Sequence, residues 1–265
     1  MNVLVLGATS VIGAHVAEAF APGNDLLLAG RDRARLHQAA ERCRAAQAAS
    51  VVETAMDLRE GVANFLAEIS GLLPDVIINA ASATSRLRDD SIPADELAGV
   101  ITVDLLAPLE LIRSLIAERS GEKTRIVFIS SVLASVPSPR RVIYGNLKRM
   151  QEESLLALAR SNSAVQVLIA RLAKPIPPDQ PSRDAIRFAA AVRHAFDKGE
   201  TKMSFGLSGR LMNGLFWLQP AVFHIAVEFI RLIRSQRRPT GSSMDESTIS
   251  SKNPGTFPYS GEKNP

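Results

Sequence analysis

Short apolar runs alternate with longer amphipathic segments through the first 206 residues of the chain. The runs are rich in leucine and β-branched residues and have the length of buried strands, whereas the segments between them have helical periodicity. Strands alternating with helices are typical of an α/β fold, so we predict a doubly wound parallel sheet in one domain. The predicted strands are Val3–Leu6, Leu26–Ala29, Val51–Ala55, Val76–Asn79, Arg125–Ile129, Val165–Ala170 and Lys202–Phe205.

Two long helices are predicted, over Ala94–Glu118 and Val142–Arg160. Pro108 lies inside the first and is expected to bend it, because proline has no N–H and clashes with the preceding turn. The pattern changes after residue 206. We therefore predict a Rossmann-type domain over residues 1–206, a C-terminal helical extension over 207–236 and a disordered tail over 237–265, where Pro, Ser, Gly and Asn predominate.

The extension contains the apolar segment Leu211–Ile233, which is followed by several arginines. A membrane-spanning helix needs about 20 apolar residues, and Gln219 and Pro220 interrupt this segment, so we do not expect it to span. Two interpretations stay open. The segment packs on the core or on a second copy of the chain, or it lies on a membrane surface with its basic flank toward anionic lipid.

Composition narrows the class of protein. The 265 residues carry a net charge of +4, one cysteine and four scattered histidines. This pattern predicts no disulfide, no metal site and no nucleic-acid partner. The apolar start lacks the basic residues of a signal peptide. We expect a cytoplasmic protein, with peripheral contact at the inner face of the membrane as the alternative.

The first predicted strand is followed by a glycine-containing turn, Gly7-Ala8-Thr9-Ser10-Val11-Ile12-Gly13, and then by a helical pattern from Ala14 to Phe20. The free N–H groups and the positive dipole end of such a helix bind phosphate. Glycine lets the backbone approach a pyrophosphate closely. The turn therefore predicts a nucleotide-phosphate site, with a plain strand-to-helix corner as the alternative.

Tyr144 and Lys148 are one helical turn apart, so their side chains share a face of the predicted helix. Ser131 stands thirteen residues ahead of Tyr144, at the carboxyl end of a predicted strand, where parallel sheets bind ligands. An ammonium beside a phenol favours the phenolate, so we expect Lys148 to lower the pKa of Tyr144. The three residues predict a site for proton transfer.

Together these motifs resemble the short-chain dehydrogenase/reductase family, over Asn2 to Gly206. The resemblance implies a Rossmann fold and hydride transfer between a nicotinamide cofactor and a carbonyl or alcohol carbon. It implies catalytic roles for Ser131, Tyr144 and Lys148, with Asp104 at the family's structural asparagine, whose backbone carbonyl holds a water beside the lysine. The cofactor contacts that it implies are Gly7, Thr9, Ser10, Ile12, Gly13, Arg31, Asp57, Leu58, Asn79, Ala80, Ala81, Tyr144 and Lys148.

The chain departs from the family pattern at several positions. Val11 replaces the middle glycine of the loop, Ala81 replaces a glycine, and Asp104 replaces asparagine. The segment Arg171–Pro175 replaces Arg-Pro-Gly. A negative charge at Asp104 is expected to raise the pKa of Lys148. The departures keep two alternatives open, a non-catalytic NADP-binding regulatory protein and a nucleotide-sugar epimerase or dehydratase on the same scaffold.

The tip of the second predicted strand bears on cofactor choice. A carboxylate there would bind the ribose hydroxyl of NAD, and an arginine accommodates the 2′-phosphate of NADP. The chain has Gly30 followed by Arg31, and guanidinium groups bind phosphate bidentately. NADP is therefore the expected cofactor and NAD the alternative, because Asp32 follows at once.

Two segments concern the substrate. Lys174–Pro181 is a short, proline-stiffened loop where the family usually carries a larger lid. The apolar and basic C-terminal layout is similar to that of the polyprenyl-phosphate-linked keto-sugar reductases within the family. We expect an NADPH-dependent ketoreductase that acts on a bulky, hydrophobic or lipid-linked carbonyl and forms a homo-oligomer.

Overall fold

A computed structural model describes residues 1–69, 71–83, 89, 92–136, 138–173 and 183–206. All of them belong to one compact unit, Met1–Trp217. Three predicted segments lie outside the described residues: the helical extension over 207–236, the tail over 237–265 and the proline-rich loop Lys174–Pro181.

The described chain contains a seven-stranded sheet in the order β3-β2-β1-β4-β5-β6-β7. Every neighbouring pair is parallel. The prediction of a doubly wound parallel sheet is confirmed. The strands are β1 Asn2–Leu6, β2 Asp25–Gly30, β3 Ser50–Ala55, β4 Val76–Asn79, β5 Thr124–Ser131, β6 Val165–Leu172 and β7 Lys202–Phe205.

Helices cover both faces of the sheet, because side chains alternate between its two sides along each strand. On β1, Val3 and Val5 pack into one core, and Leu4 and Leu6 pack into the other. The helices are α1 Val11–Phe20, α2 Arg33–Ala45, α3 Ala63–Glu68, α4 Leu97–Ile101, α5 Ala107–Glu118, α6 Val142–Ser161 and α7 Arg183–Asp197. With both faces covered, the carboxyl ends of the strands remain as the edge where a ligand binds.

The chain is helical throughout the predicted range Ala94–Glu118, but the spacing of its hydrogen bonds changes along the helix. A 3₁₀ turn precedes α4, and a π-helical segment, Thr102–Leu106, separates α4 from α5. Pro108 lies in the first turn of α5 and has no N–H to donate to the carbonyl of Asp104, four residues earlier. The ladder shifts here to a wider spacing, with the N–H of Ala107 donating to the carbonyl of Thr102. Such segments recur at functional sites, and Asp104 lies inside this one.

Candidate active site

The turn between β1 and α1 is closely packed. Gly7 has a φ of +79°, and a Cβ on it would lie 2.7 Å from the backbone nitrogen of Ala81. A Cβ on Gly13 would lie 2.2 Å from the carbonyl oxygen of Gly7. The N–H of Gly13 donates to the hydroxyl of Ser10 (2.9 Å), which caps α1. Both outer glycines of the loop are therefore needed for its shape.

Val11, the departure at the middle glycine, is the first residue of α1. Its φ is not positive, so this loop needs no glycine at that position. Gly30 is a residue that the motif reading missed. A Cβ on Gly30 would lie 2.5 Å from the Cγ2 of Thr9. The absence of a side chain at Gly30 therefore lets Thr9 pack directly against the end of β2. The position of Gly30 directly before Arg31 was the sequence feature from which Gly30 could have been predicted as a site residue.

A cleft opens at the carboxyl ends of β1, β2 and β4, beside this turn. Eight of the predicted cofactor residues line it: Gly7, Thr9, Ser10, Arg31, Asp57, Leu58, Ala80 and Ala81. Sequence reasoning missed Leu6, Ala29, Gly30, Met56, Ser82 and Val103, which also line it. Apolar residues at strand ends carry no motif, so only the packing identifies them.

The other predicted cofactor residues lie beneath the cleft or further along it. Ile12 packs against the core on the α1 side of the sheet. Asn79 is fully buried, and its Oδ1 accepts a hydrogen bond from the N–H of Ala81 (3.1 Å). Asn79 thus shapes the segment that faces Gly7.

Arg31 lies at the tip of β2 with its side chain 57% exposed, and its Nη1 is 4.0 Å from a carboxylate oxygen of Asp57. The carboxylate of Asp32 caps α2 by accepting the N–H of Arg35 (3.0 Å). The guanidinium at the rim is therefore open to an anion, and the neighbouring carboxylate is engaged at the start of the helix.

Ser131 and Tyr144 meet at the carboxyl end of β5. Ser131 is the last residue of β5, and Tyr144 is a buried residue in the first turn of α6. The Ser131 side chain is near enough to the Tyr144 hydroxyl to lower its pKa, and the Oγ of Ser131 accepts a hydrogen bond from the N–H of Leu133 (3.2 Å). The fit between α6 and the turn after β5 is tight, since a Cβ on Gly145 would lie 2.7 Å from the carbonyl oxygen of Leu133. Gly145 was another residue that the sequence did not single out.

The expectation that Lys148 lowers the pKa of Tyr144 is wrong for this structure. Burial raises the pKa of Tyr144 above its ordinary value, and the cation that counteracts burial is Arg141. The Nζ of Lys148 instead donates a hydrogen bond to the carbonyl of Ile129 (3.2 Å). Sequence spacing placed Lys148 on the correct face of the helix but did not show which atom its ammonium would meet.

Lys148 is itself almost fully buried, and burial lowers its pKa. Asp104 and Glu152 act in the opposite direction. Asp104, only 1% exposed, accepts hydrogen bonds from the hydroxyl of Ser82 (3.2 Å) and the N–H of Ala83 (2.5 Å). The expected raising effect of Asp104 is present, but the desolvation of Lys148 outweighs it.

The close-packed turn between β1 and α1 lies at the same sheet edge as Ser131 and Tyr144, as the sequence motifs predicted. The profile of the short chain dehydrogenase family matches residues 1–172, which is more than half of the chain. The protein belongs to this family of oxidoreductases.

Individual relatives agree with this assignment. Over 174 residues the chain is 27% identical to the short chain dehydrogenase/reductase AacuD of Aspergillus aculeatus, a match that covers 63% of this chain. It spans only 61% of that relative's length. A short-chain dehydrogenase of Sphingobium yanoikuyae, solved in complex with NADPH, is 25% identical with a TM-score of 0.66, covering 93% of this chain and 99% of that one.

The bulky-bulky ketone specific alcohol dehydrogenase of Comamonas testosteroni has the same fold. It is 22% identical with a TM-score of 0.68, covering 91% of this chain and 96% of that one. Among the described helices, none combines the length and the apolar character that crossing a membrane requires.

Proposed function

We propose that this protein is an NADPH-dependent oxidoreductase that interconverts a carbonyl and a secondary alcohol. The observation that carries the proposal is the meeting of Ser131 and Tyr144 at the carboxyl end of β5, the same sheet edge as the turn between β1 and α1. A proton-transfer group beside a nucleotide cleft is what carbonyl reduction needs.

The shape of the cleft fits a dinucleotide. Gly7 and Gly13 leave no space for a Cβ, and this bare backbone precedes the N-terminus of α1, the arrangement that accommodates a pyrophosphate. The residues that would hold the cofactor are Gly7, Thr9, Ser10, Arg31, Asp57, Leu58, Ala80, Ala81 and Lys148. When bound, the nicotinamide supplies the hydride.

The side chains divide the remaining chemistry. Tyr144 gives its hydroxyl proton to the carbonyl oxygen during reduction and takes it back during alcohol oxidation. The hydroxyl of Ser131 holds that oxygen. Lys148, fixed at the carbonyl of Ile129, holds the ribose. Asp104 holds Ser82 and Ala83 by hydrogen bonds and favours the charged form of Lys148.

NADPH rather than NADH is the proposed cofactor because Arg31 presents an exposed guanidinium at the tip of β2, where a 2′-phosphate lies in this fold. Asp32 does not compete, since its carboxylate caps α2. The Sphingobium yanoikuyae relative, whose structure was solved with NADPH, supports the same choice.

The proposed substrate is a bulky, hydrophobic or lipid-linked carbonyl. The short loop Lys174–Pro181 and the apolar segment Leu211–Ile233 support it. We further propose a homo-oligomer and peripheral contact with the inner face of a membrane.

The test is NADPH oxidation by the full chain against a panel of ketones of increasing bulk, with Tyr144→Phe as the matched control. We expect wild-type turnover that rises with ketone bulk and is lost in the variant. NADPH binding without turnover on any carbonyl would contradict the proposal and favour the regulatory protein. Product formation with no net change in NADPH would favour the epimerase or dehydratase.

A further inference from the structure

A second charged cluster lies one helical turn beyond Lys148. Glu152, 3% exposed on α6, accepts a hydrogen bond from the hydroxyl of Ser130 (2.5 Å). The Nε of Arg171 donates to one carboxylate oxygen (2.9 Å), and its Nη2 donates to the other (2.5 Å). The carboxylate is thus held by three bonds. The chemistry proposed above does not use it.

The two partners of Glu152 belong to the ends of adjacent strands. Ser130 on β5 and Arg171 on β6 are directly paired in the sheet, and Ser131 is the next residue after Ser130. One carboxylate therefore ties α6, which carries Tyr144 and Lys148, to the strand that carries Ser131. Bidentate binding by a guanidinium gives this tie a defined geometry.

Charge is the second link between this cluster and the site. A buried ammonium keeps its proton only if anions compensate its desolvation. The charged groups that act on Lys148 are Asp104 on the π segment and Glu152 on α6, with Arg171 on β6 bound to Glu152. The ring of Phe128 on β5 has its centre 4.6 Å from the Nζ, and Tyr144 lies one turn earlier on α6. Asp104 and Glu152 are the anions that favour the charged lysine.

We propose that Glu152 is a positioning residue for the reaction, which holds Ser131 in register with α6 and keeps Lys148 charged without touching substrate or cofactor. The inference rests on the proposed function for its catalytic consequence. Its electrostatic part concerns the free protein and is independent of any substrate.

The electrostatic part is tested without cofactor or substrate by NMR of lysine labelled with ¹³C at Cε, with the Lys148 signal assigned through Lys148→Met. We expect Glu152→Gln to move the titration of Lys148 to lower pH by about one unit, because an anion that favours the charged lysine is lost. In the charge-balanced double variant Glu152→Gln/Arg171→Met, the titration should return most of the way. If Glu152→Gln alone does not fold, Arg171→Met decides the matter: it removes the cation bound to Glu152, so the titration of Lys148 should move to higher pH, and an unshifted titration would overturn the proposal.

The control is Asp75→Asn, which breaks the ion pair of Asp75 with Arg119 (3.0 Å, Arg119 7% exposed) at the amino end of the sheet. It should lower stability and leave the titration of Lys148 unchanged. An unshifted Lys148 in both Glu152 variants, with only thermal stability reduced, would make the cluster a structural ion pair and overturn the proposal.

The catalytic part is tested by the pH profile of turnover. Glu152→Gln should lower kcat about tenfold at neutral pH, change KM for NADPH less, and move the alkaline limb of reduction to lower pH. If neither kcat nor the alkaline side of the pH profile changes in Glu152→Gln, Glu152 is not a positioning residue. If the wild type reduces no carbonyl, the proposed function fails, and the NMR titration still decides whether Glu152 keeps Lys148 charged.

Discussion

The guanidinium of Arg141 lies over the ring of Tyr144, with 4.3 Å between its central carbon and the ring centre. Arg141 immediately precedes α6, whose first N–H groups, those of Val142 and Ile143, donate to the carboxylate of Asp89. The start of the helix thus places a cation on the proton donor. Arg141, rather than Lys148, stabilises the phenolate of Tyr144 in this structure.

We expect Arg141→Met to raise the pKa of Tyr144 further, because burial then acts without its opposing cation. The chain has two tyrosines, Tyr144 and Tyr259. Absorbance titration of tyrosinate in a Tyr259→Phe background therefore reports Tyr144 alone. Arg140→Met, at an exposed neighbour, is the control and should leave the titration in place. If both variants titrate alike, Arg141 does not lower the pKa of Tyr144 and the prediction is wrong.

The same change should appear in the pH dependence of alcohol oxidation, where Tyr144 must first lose its proton. A higher pKa leaves less phenolate at a given pH. The rise of kcat/KM for oxidation should therefore move to higher pH in Arg141→Met. If the pH profile does not move, the ionisation of a group other than Tyr144 controls the rise of kcat/KM.

Tyr144→Phe and Lys148→Ala should separate proton transfer from cofactor binding. Tyr144→Phe removes only the hydroxyl, so we expect turnover to be abolished and NADPH affinity, measured by calorimetry, to stay near that of the wild type. Lys148→Ala should impair both, because the lysine serves the ribose as well. Near-normal turnover of Tyr144→Phe would refute the catalytic assignment.

Arg31→Ala tests the choice of cofactor. We expect NADPH binding to weaken by ~1.5–3 kcal/mol, the scale of a hydrogen bond to a charged group, and NADH binding to be nearly unchanged. Arg33→Ala, an exposed arginine at the start of α2, is the matched control and should change neither affinity. Equal losses for NADPH and NADH would mean that Arg31 does not meet a 2′-phosphate.

The strands were predictable to within two residues at each end. A buried parallel strand is a continuous apolar run, and that property belongs to the local sequence. The alternation of strands and helices alone predicted that Gly7, Asp57 and Ser131 lie at the same edge of the sheet, because each follows or ends a parallel strand. The π-helical segment before Pro108 was only half predicted, because a proline in the sequence shows that one hydrogen bond is lost but not whether the helix bends or widens.

The electrostatics of the site could not be predicted in the same way. Lys148 meets the carbonyl of Ile129, nineteen residues earlier, and Arg171 meets Glu152 across nineteen residues. Such pairs depend on how α6 packs against β5 and β6. Desolvation, the largest influence on the pKa of both Tyr144 and Lys148, depends on the same packing and has no signature in spacing.

A pair of glycine variants tests the shape of the phosphate turn. In Gly13→Ala the new Cβ would lie 2.2 Å from the carbonyl oxygen of Gly7, a backbone atom, so the turn must open. We expect a loss of about 1–3 kcal/mol in the free energy of unfolding and loss of NADPH binding.

The matched control is Gly99→Ala in α4, where the nearest atom to a new Cβ is the Nε of Arg59 at 3.7 Å. This contact is ordinary, and alanine costs less chain entropy in a helix, so stability should rise by about 0.5–1 kcal/mol. Urea unfolding and calorimetry measure the two effects. NADPH affinity unaffected by Gly13→Ala would show that the cofactor does not use the β1–α1 turn, because the steric conflict there involves only the backbone.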